Sequence, residues 1–199
     1  MTIALFGGSF DPVHLGHLRM LQYTLENFDF SSIEIIPAKL SPFKEKNLFS
    51  DHDRVQFLDL IFSGLDERIN ISTIEIDRAG PSYTALTLRA YKERFPDEDF
   101  VMLLGLDNIE TLSEWHEFEY LKENMSFLIF ARPQYSTDSL GELGIKYTLV
   151  ENFAMPNSSS EIKEIILSKK ANEIKSNRLF DGLVPEALEG LLLKEYCTE

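Results

Sequence analysis

The sequence has a single cysteine, Cys197, and so no internal disulfide is possible. Read as an ordinary exposed thiol, it points to a reducing compartment. Long apolar runs are missing too. The longest, such as FVMLLGL at 100–106, fall far short of the roughly 20 residues a spanning helix requires. The opening residues, MTIALF, carry neither the basic start nor the cleavage site of a signal peptide, and a cytoplasmic, soluble protein is expected. Basic side chains are scarce, 19 against 33 acidic ones, for a net charge of −14. Such a surface repels nucleic-acid polymers and anionic lipid, which argues against broad binding to either. A small phosphate-bearing ligand is not excluded, because a pocket can be locally positive on an acidic chain. Two nucleotide-binding patterns are absent as well. Neither GxGxxG nor GxxxxGK[ST] occurs, so neither a dinucleotide fingerprint nor an ordinary P-loop applies.

What is present is an ordinary globular composition, 199 residues with 44% hydrophobic and 26% charged side chains. That length suits one domain, residues 1–199, with no linker long enough to split it. Apolar segments at Thr2–Phe6, Ile33–Ile36, Ile69–Ile76, Phe100–Leu104, Ser126–Ala131 and Lys146–Val150 read as strands. Between them, helical spacing predicts helices over Leu15–Phe28, behind a Ser50/Asp53 capping box, and over Ser82–Phe95 and Asn108–Lys122. Two more are predicted at Ser158–Lys169 and Pro185–Tyr196, in a carboxyl-terminal helical part (about 157–199) packed on the domain. Strands alternating with helices predict an α/β fold, a Rossmann-like doubly wound parallel sheet covered on both faces. Ligands then bind beyond the carboxyl ends of the strands, where the connections diverge.

The residues at the first such end are Gly7-Gly8-Ser9-Phe10-Asp11-Pro12-Val13-His14-Leu15-Gly16-His17. Glycines there let a ligand approach the backbone. The helix start near His14–His17 offers unpaired N–H groups and the positive end of a helix dipole. His14 and His17, three apart, point in similar directions, and an anion would favour their charged forms. Zinc would need a third ligand that no nearby cysteine or histidine supplies, and Ser9 is not framed as a GxSxG nucleophile. A tight turn whose histidines cap the helix remains an alternative.

This segment resembles the signature of the HxGH nucleotidyltransferase superfamily, in the version carried by bacterial nicotinate-nucleotide adenylyltransferases. The likeness runs along most of the chain: Pro42-Phe43-Lys44, Pro81-Ser82-Tyr83-Thr84, Gly105-Leu106-Asp107, Leu112-Ser113-Glu114-Trp115, Ala131-Arg132-Pro133 and Gly182-Leu183-Val184-Pro185 occur in the family's order. Four positions depart from it. Leu86 replaces the usual aspartate, and Asn157, Ser160 and Lys163 replace the isoleucine, threonine and arginine of the late motif.

The resemblance implies adenylyl transfer from ATP to a pyridine mononucleotide, with Mg²⁺ entering on the phosphates and no metal ligand among the protein side chains. It implies catalytic roles for His14, His17 and Lys44. ATP would meet Gly7, Gly8, Ser9, Phe10, His14, Gly16, His17, Gly105, Asp107, Arg132, Ser158, Ser159 and Ser160. The mononucleotide would meet Lys44, Trp115 as a stacking ring, and the backbone at Tyr83 and Thr84. Nicotinamide mononucleotide and phosphopantetheine are alternative acceptors, and a nucleotide-binding module without catalysis is an alternative of another class. A monomer or small homo-oligomer is expected.

Overall fold

The structure, a computed structural model, describes residues 1–42, 45–133, 135–151, 153, 159–168, 180 and 182–196. Six parallel strands form one sheet: β1 (Thr2–Gly8), β2 (Ser32–Pro37), β3 (Ile69–Ile71), β4 (Asp99–Gly105), β5 (Ser126–Phe130) and β6 (Tyr147–Val150). Their spatial order is β3-β2-β1-β4-β5-β6, the doubly wound arrangement that the alternating pattern predicts. The order reverses between β1 and β4, so the connections leaving those strands diverge and open a crevice above their carboxyl ends.

The helices are α1 (Leu15–Asn27), α2 (Asp51–Phe62), α3 (Ile74–Asp77), α4 (Thr84–Arg94), α5 (Phe118–Asn124), α6 (Ser159–Ser168) and α7 (Glu186–Tyr196). Alternation along the strands divides the core between the two sheet faces. Ala4, Phe6, Ile33, Ile35, Leu128 and Phe130 meet α1, α2, α6 and α7 on one face. Ile3, Leu5, Phe100, Met102, Leu104, Phe127 and Ile129 meet α4, α5 and their neighbours on the other. Burying both sides explains why the strands read as continuous apolar runs. The carboxyl-terminal helices share the first of these cores: Ile162, Ile166, Leu188 and Leu192 are buried in it, and the Leu15 N–H donates to Leu183 O at 2.9 Å.

Helix α2 starts as its capping box predicts. Ser50 Oγ accepts from the Asp53 N–H at 3.1 Å and the Asp53 carboxylate accepts from the Ser50 N–H at 3.2 Å. Two predicted elements divide. Ile69–Ile76 is a strand only to Ile71: the Ser72 N–H makes a last bond to Ile35 O, and Thr73 Oγ1 donates to Asp77 across one turn of helix. An edge strand has one neighbour, and its ladder is easily abandoned where a side chain such as Glu75 must turn inward. Asn108–Lys122 is not one helix either. A 3₁₀ segment, Leu106–Glu114, gives way to extended backbone at Trp115 and a left-handed Glu117 (φ 55°) before α5 begins. Trp115 packs against the second core and Glu117 pairs with Arg89, and those tertiary contacts override the helical spacing.

Candidate active site

A cleft of about 510 Å³ lies over the carboxyl ends of β1 and β4. Its floor is Gly7, Gly8, Ser9 and Phe10 at the end of β1, and Gly105 at the end of β4. Phe10 takes a left-handed conformation (φ 44°) that turns the chain back toward α1, and its ring is buried against Phe6 at 5.4 Å. Along this bend the peptide Asp11–Pro12 is cis.

His14 is the N-cap of α1, and His17 stands one turn on. Their rings stack at 3.7 Å, and the His17 ring also packs 4.8 Å from Phe10, which fixes its orientation. The His14 N–H donates to His17 Nδ1 at 3.2 Å. That bond reserves Nδ1 as an acceptor and leaves Nε2 to carry the proton of the neutral ring. Burial, and after it the positive charge of Arg132, pushes His14 down to a pKa of about 3. The ring is therefore neutral at physiological pH unless a bound anion raises its pKa, the condition under which the sequence led us to expect charge. Its buried Nδ1 has no hydrogen-bond partner among the described residues.

Opposite, Arg132 follows β5, and its Nε stands 3.1 Å from Asp107 Oδ1. Asp107 sits in the first turn of the 3₁₀ segment, and Gly105 occupies its cap position. A side chain at Gly105 would overlap the Asp107 carboxylate and stand 3.2 Å from Arg132 Nε, so only glycine leaves this ion pair its place. Ser159 and Ser160, in the first turn of α6, complete that end of the cleft. Ser82, Thr84, Glu75, Thr87 and Trp115 line the other. There the buried Glu75 carboxylate accepts from Thr87 Oγ1 at 2.6 Å, and Trp115 Nε1 is buried without a partner among the described residues.

The structure thus gathers Gly7, Gly8, Ser9, Phe10, His14, His17, Gly105, Asp107, Arg132, Ser159, Ser160, Thr84 and Trp115 around one cleft. Two expected residues stand apart from it. Gly16 is buried within the first turn of α1. Tyr83 turns away: its ring stacks on His116 at 4.3 Å, and its N–H is already committed to Pro81 O at 3.1 Å. Lys44, Ser158 and Asn157 lie outside the described residues. Leu86, where the family has aspartate, is exposed on the outer side of α4.

Sequence reasoning missed the residues beneath the cleft. Asp11, assigned no role from the sequence, is fully buried and accepts from the N–H groups of Leu48 and Phe49 at 2.9–3.1 Å. Lys163 Nζ reaches the same carboxylate at 2.6 Å. Arg54 is fully buried in α2 and donates to Ser9 O at 2.6 Å. A signal for Arg54 was present: it stands three, four and seven residues before Phe57, Leu58 and Ile61, on the apolar face. Among the described residues, no group of three or more His, Cys, Asp or Glu is placed to hold a metal ion, and no helix is long and apolar enough to cross a membrane.

A family model described as cytidylyltransferase-like matches residues 5–165. A protein of Bacillus licheniformis named "Probable nicotinate-nucleotide adenylyltransferase" is 35% identical over 188 residues, covering 94% of this chain and 93% of that one. One of the same name from Fusobacterium nucleatum is 31% identical, covering 98% and 99%. Among solved structures, the nicotinic acid mononucleotide adenylyltransferase of Plasmodium falciparum complexed with NaAD shares the fold. It has a TM-score of 0.79 at 24% identity, with 97% of this chain and 95% of that one covered. With the family model spanning most of its length and relatives above 30% identity along nearly all of it, the chain belongs to the cytidylyltransferase-like family and, within it, to the nicotinate-nucleotide adenylyltransferases.

Proposed function

We propose that this chain, in the cytoplasm, transfers the adenylyl group of ATP to nicotinate mononucleotide, giving deamido-NAD and pyrophosphate in NAD biosynthesis. The 5′-phosphate oxygen of the mononucleotide forms a bond to the α-phosphorus as the bond to the β-phosphate oxygen breaks. No protein nucleophile enters, so the site's work is to position two anions and stabilise charge on the transferring group. The observation that carries this reading is the histidine pair at the start of α1, facing Arg132 across the divergence of β1 and β4.

His17 donates from Nε2 to an α-phosphate oxygen, its ring held by His14 and Phe10. His14 serves as a neutral hydrogen-bonding ring, with the cationic charge coming from Arg132. Ser159 and Ser160, at the positive end of the α6 dipole, take the outer phosphates. Asp107 accepts a ribose hydroxyl while paired to Arg132. Lys44 and Ser158 add phosphate contacts on the strength of the family pattern alone. At the other end, Trp115 stacks on the pyridine ring, and the first N–H groups of α4, from Thr84 onward, receive the nicotinate carboxylate.

The cleft's donors suit anions rather than a hard cation, and its carboxylates, Glu75 and Asp107, are engaged by Thr87 and Arg132. Mg²⁺ would accordingly be held by the ATP phosphates rather than by these side chains, and would neutralise charge on the leaving pyrophosphate. The test is product detection by mass spectrometry with ATP, Mg²⁺ and one acceptor at a time: nicotinate mononucleotide, nicotinamide mononucleotide, phosphopantetheine or none. A dinucleotide formed mainly from the nicotinate compound, with pyrophosphate released, is expected. Preference for another acceptor would overturn the substrate, and no product from any would overturn the reaction.

A further inference from the structure

The late motif of this chain carries Lys163 where the family pattern has arginine, and the lysine is not left facing the cleft. Its ammonium lies 2.6 Å from Asp11 Oδ2, beneath the signature loop, with the lysine side chain about one-fifth exposed and the carboxylate fully buried. The remaining acceptor capacity of Asp11 is taken by the Leu48 and Phe49 N–H groups. A second bond joins the same two elements, since Ser159 Oγ donates to Pro12 O at 3.0 Å. Ser9, two residues before Asp11, is held in turn by Arg54. Four chain segments therefore meet at residues 9–12: the signature loop, the stretch leading into α2, α2 itself and α6.

We infer that Lys163 is a positioning residue, which sets the anion-binding first turn of α6 against the histidine loop by pairing with Asp11 rather than by touching ATP. The buried carboxylate needs a cation, and α6 supplies it three residues beyond the two serines that line the cleft. Docking of α6 and completion of the triphosphate end are then one event. The reason for lysine is in the same geometry. A single point charge meets a carboxylate whose other sites are already filled, and a planar fork would have no second acceptor oxygen to engage.

The inference rests on the assignment of this cleft to ATP, so its first test needs no ATP. Amide hydrogen exchange is followed in the ligand-free full chain for wild type, Lys163→Met and Lys163→Arg. Expected is a tenfold or greater acceleration, an order-of-magnitude figure, at Leu48, Phe49 and along α6 in Lys163→Met. Unchanged exchange there would overturn the coupling, whatever the enzyme does with nucleotides. Steady-state kinetics supply the second test. Lys163→Met raises KM for ATP by about tenfold with KM for the mononucleotide little changed, a split that simple loss of folded protein would not produce. Lys163→Arg falls between the two. In an Asp11→Asn background, Lys163→Met adds no further loss. An equal further loss in that background would mean that Lys163 acts on phosphate directly and would refute the inference. If Lys163→Met alone fails to fold for want of a partner to Asp11, the double variant against Asp11→Asn makes the same comparison with the buried charge removed.

Discussion

Acidification should cost this protein stability through His14, and the size of the loss follows from its burial. The side chain is 2% exposed, and desolvation, with Arg132 adding to it, holds the ring at a pKa of about 3 against 6.5 for an unperturbed histidine. Between those values the unfolded chain binds a proton that the native protein refuses. The native state is thus fully favoured above the unfolded pKa and loses ground as pH falls from 6.5 toward 3. At about pH 5 the unfolded form gains about 2 kcal/mol relative to about pH 7.5, from one group. That is a sizeable share of the roughly 5–15 kcal/mol by which domains are stable. Urea unfolding of wild type and His14→Asn at those two pH values isolates the contribution, because the other histidines are common to both proteins. The wild-type loss should exceed that of the variant by about 2 kcal/mol. Equal losses, or a His14 ring that titrates near 6.5 by NMR, would refute the reasoning. The same neutrality bears on ATP. A bound triphosphate raises the pKa of a ring beside it, so binding near pH 5 should take up protons, which calorimetry in buffers of different ionisation enthalpy would read.

Other perturbations separate the parts of the cleft. His17→Ala should lower kcat by about 10² to 10³, the usual cost of losing one preorganised donor, with the fold intact by circular dichroism. Gly105→Ala should raise KM for ATP by about tenfold with little loss of stability, because the new methyl displaces the Asp107 carboxylate from Arg132 without straining the backbone. Trp115→Ala should raise KM for nicotinate mononucleotide and leave KM for ATP nearly unchanged; the reverse pattern would place the ring at the wrong end. Arg54→Met should lower stability by about 3 kcal/mol in urea unfolding, since Ser9 O loses its charged donor inside the fold.

The sheet was legible in the sequence because its central strands are buried on both faces and read as apolar runs whatever their neighbours. The two elements that divided are those where one side chain has business elsewhere. Glu75 turns into the cleft and ends β3 after Ile71, and Trp115 packs under the cleft and breaks the predicted helix at Glu114. Periodicity records the average environment of a segment, not the demand of a single residue, so both breaks were invisible to it. The cleft wall was legible for a different reason. Its histidines and the glycines at the end of β1 lie in one contiguous stretch, and a ligand-facing loop must keep its residues in order along the chain.

The scaffold under the wall was not legible, because its members are scattered between positions 11 and 163 and each has an ordinary alternative. Asp11 is a turn former, Arg54 an interruption of an apolar face, Lys163 a conservative replacement. Only the fold reveals that all three act on residues 9–12, and that a chain with a net charge of −14 sets two of its cations there. Neither cation faces the ligand, yet each holds a group of the loop that does, Arg54 the Ser9 carbonyl and Lys163 the Asp11 carboxylate. Much of the catalytic geometry is thus held by charges that never meet substrate, as expected where the chemistry consists of placing two anions. An error of an ångström in their placement can cost about 10²-fold, comparable to the loss of a whole contact.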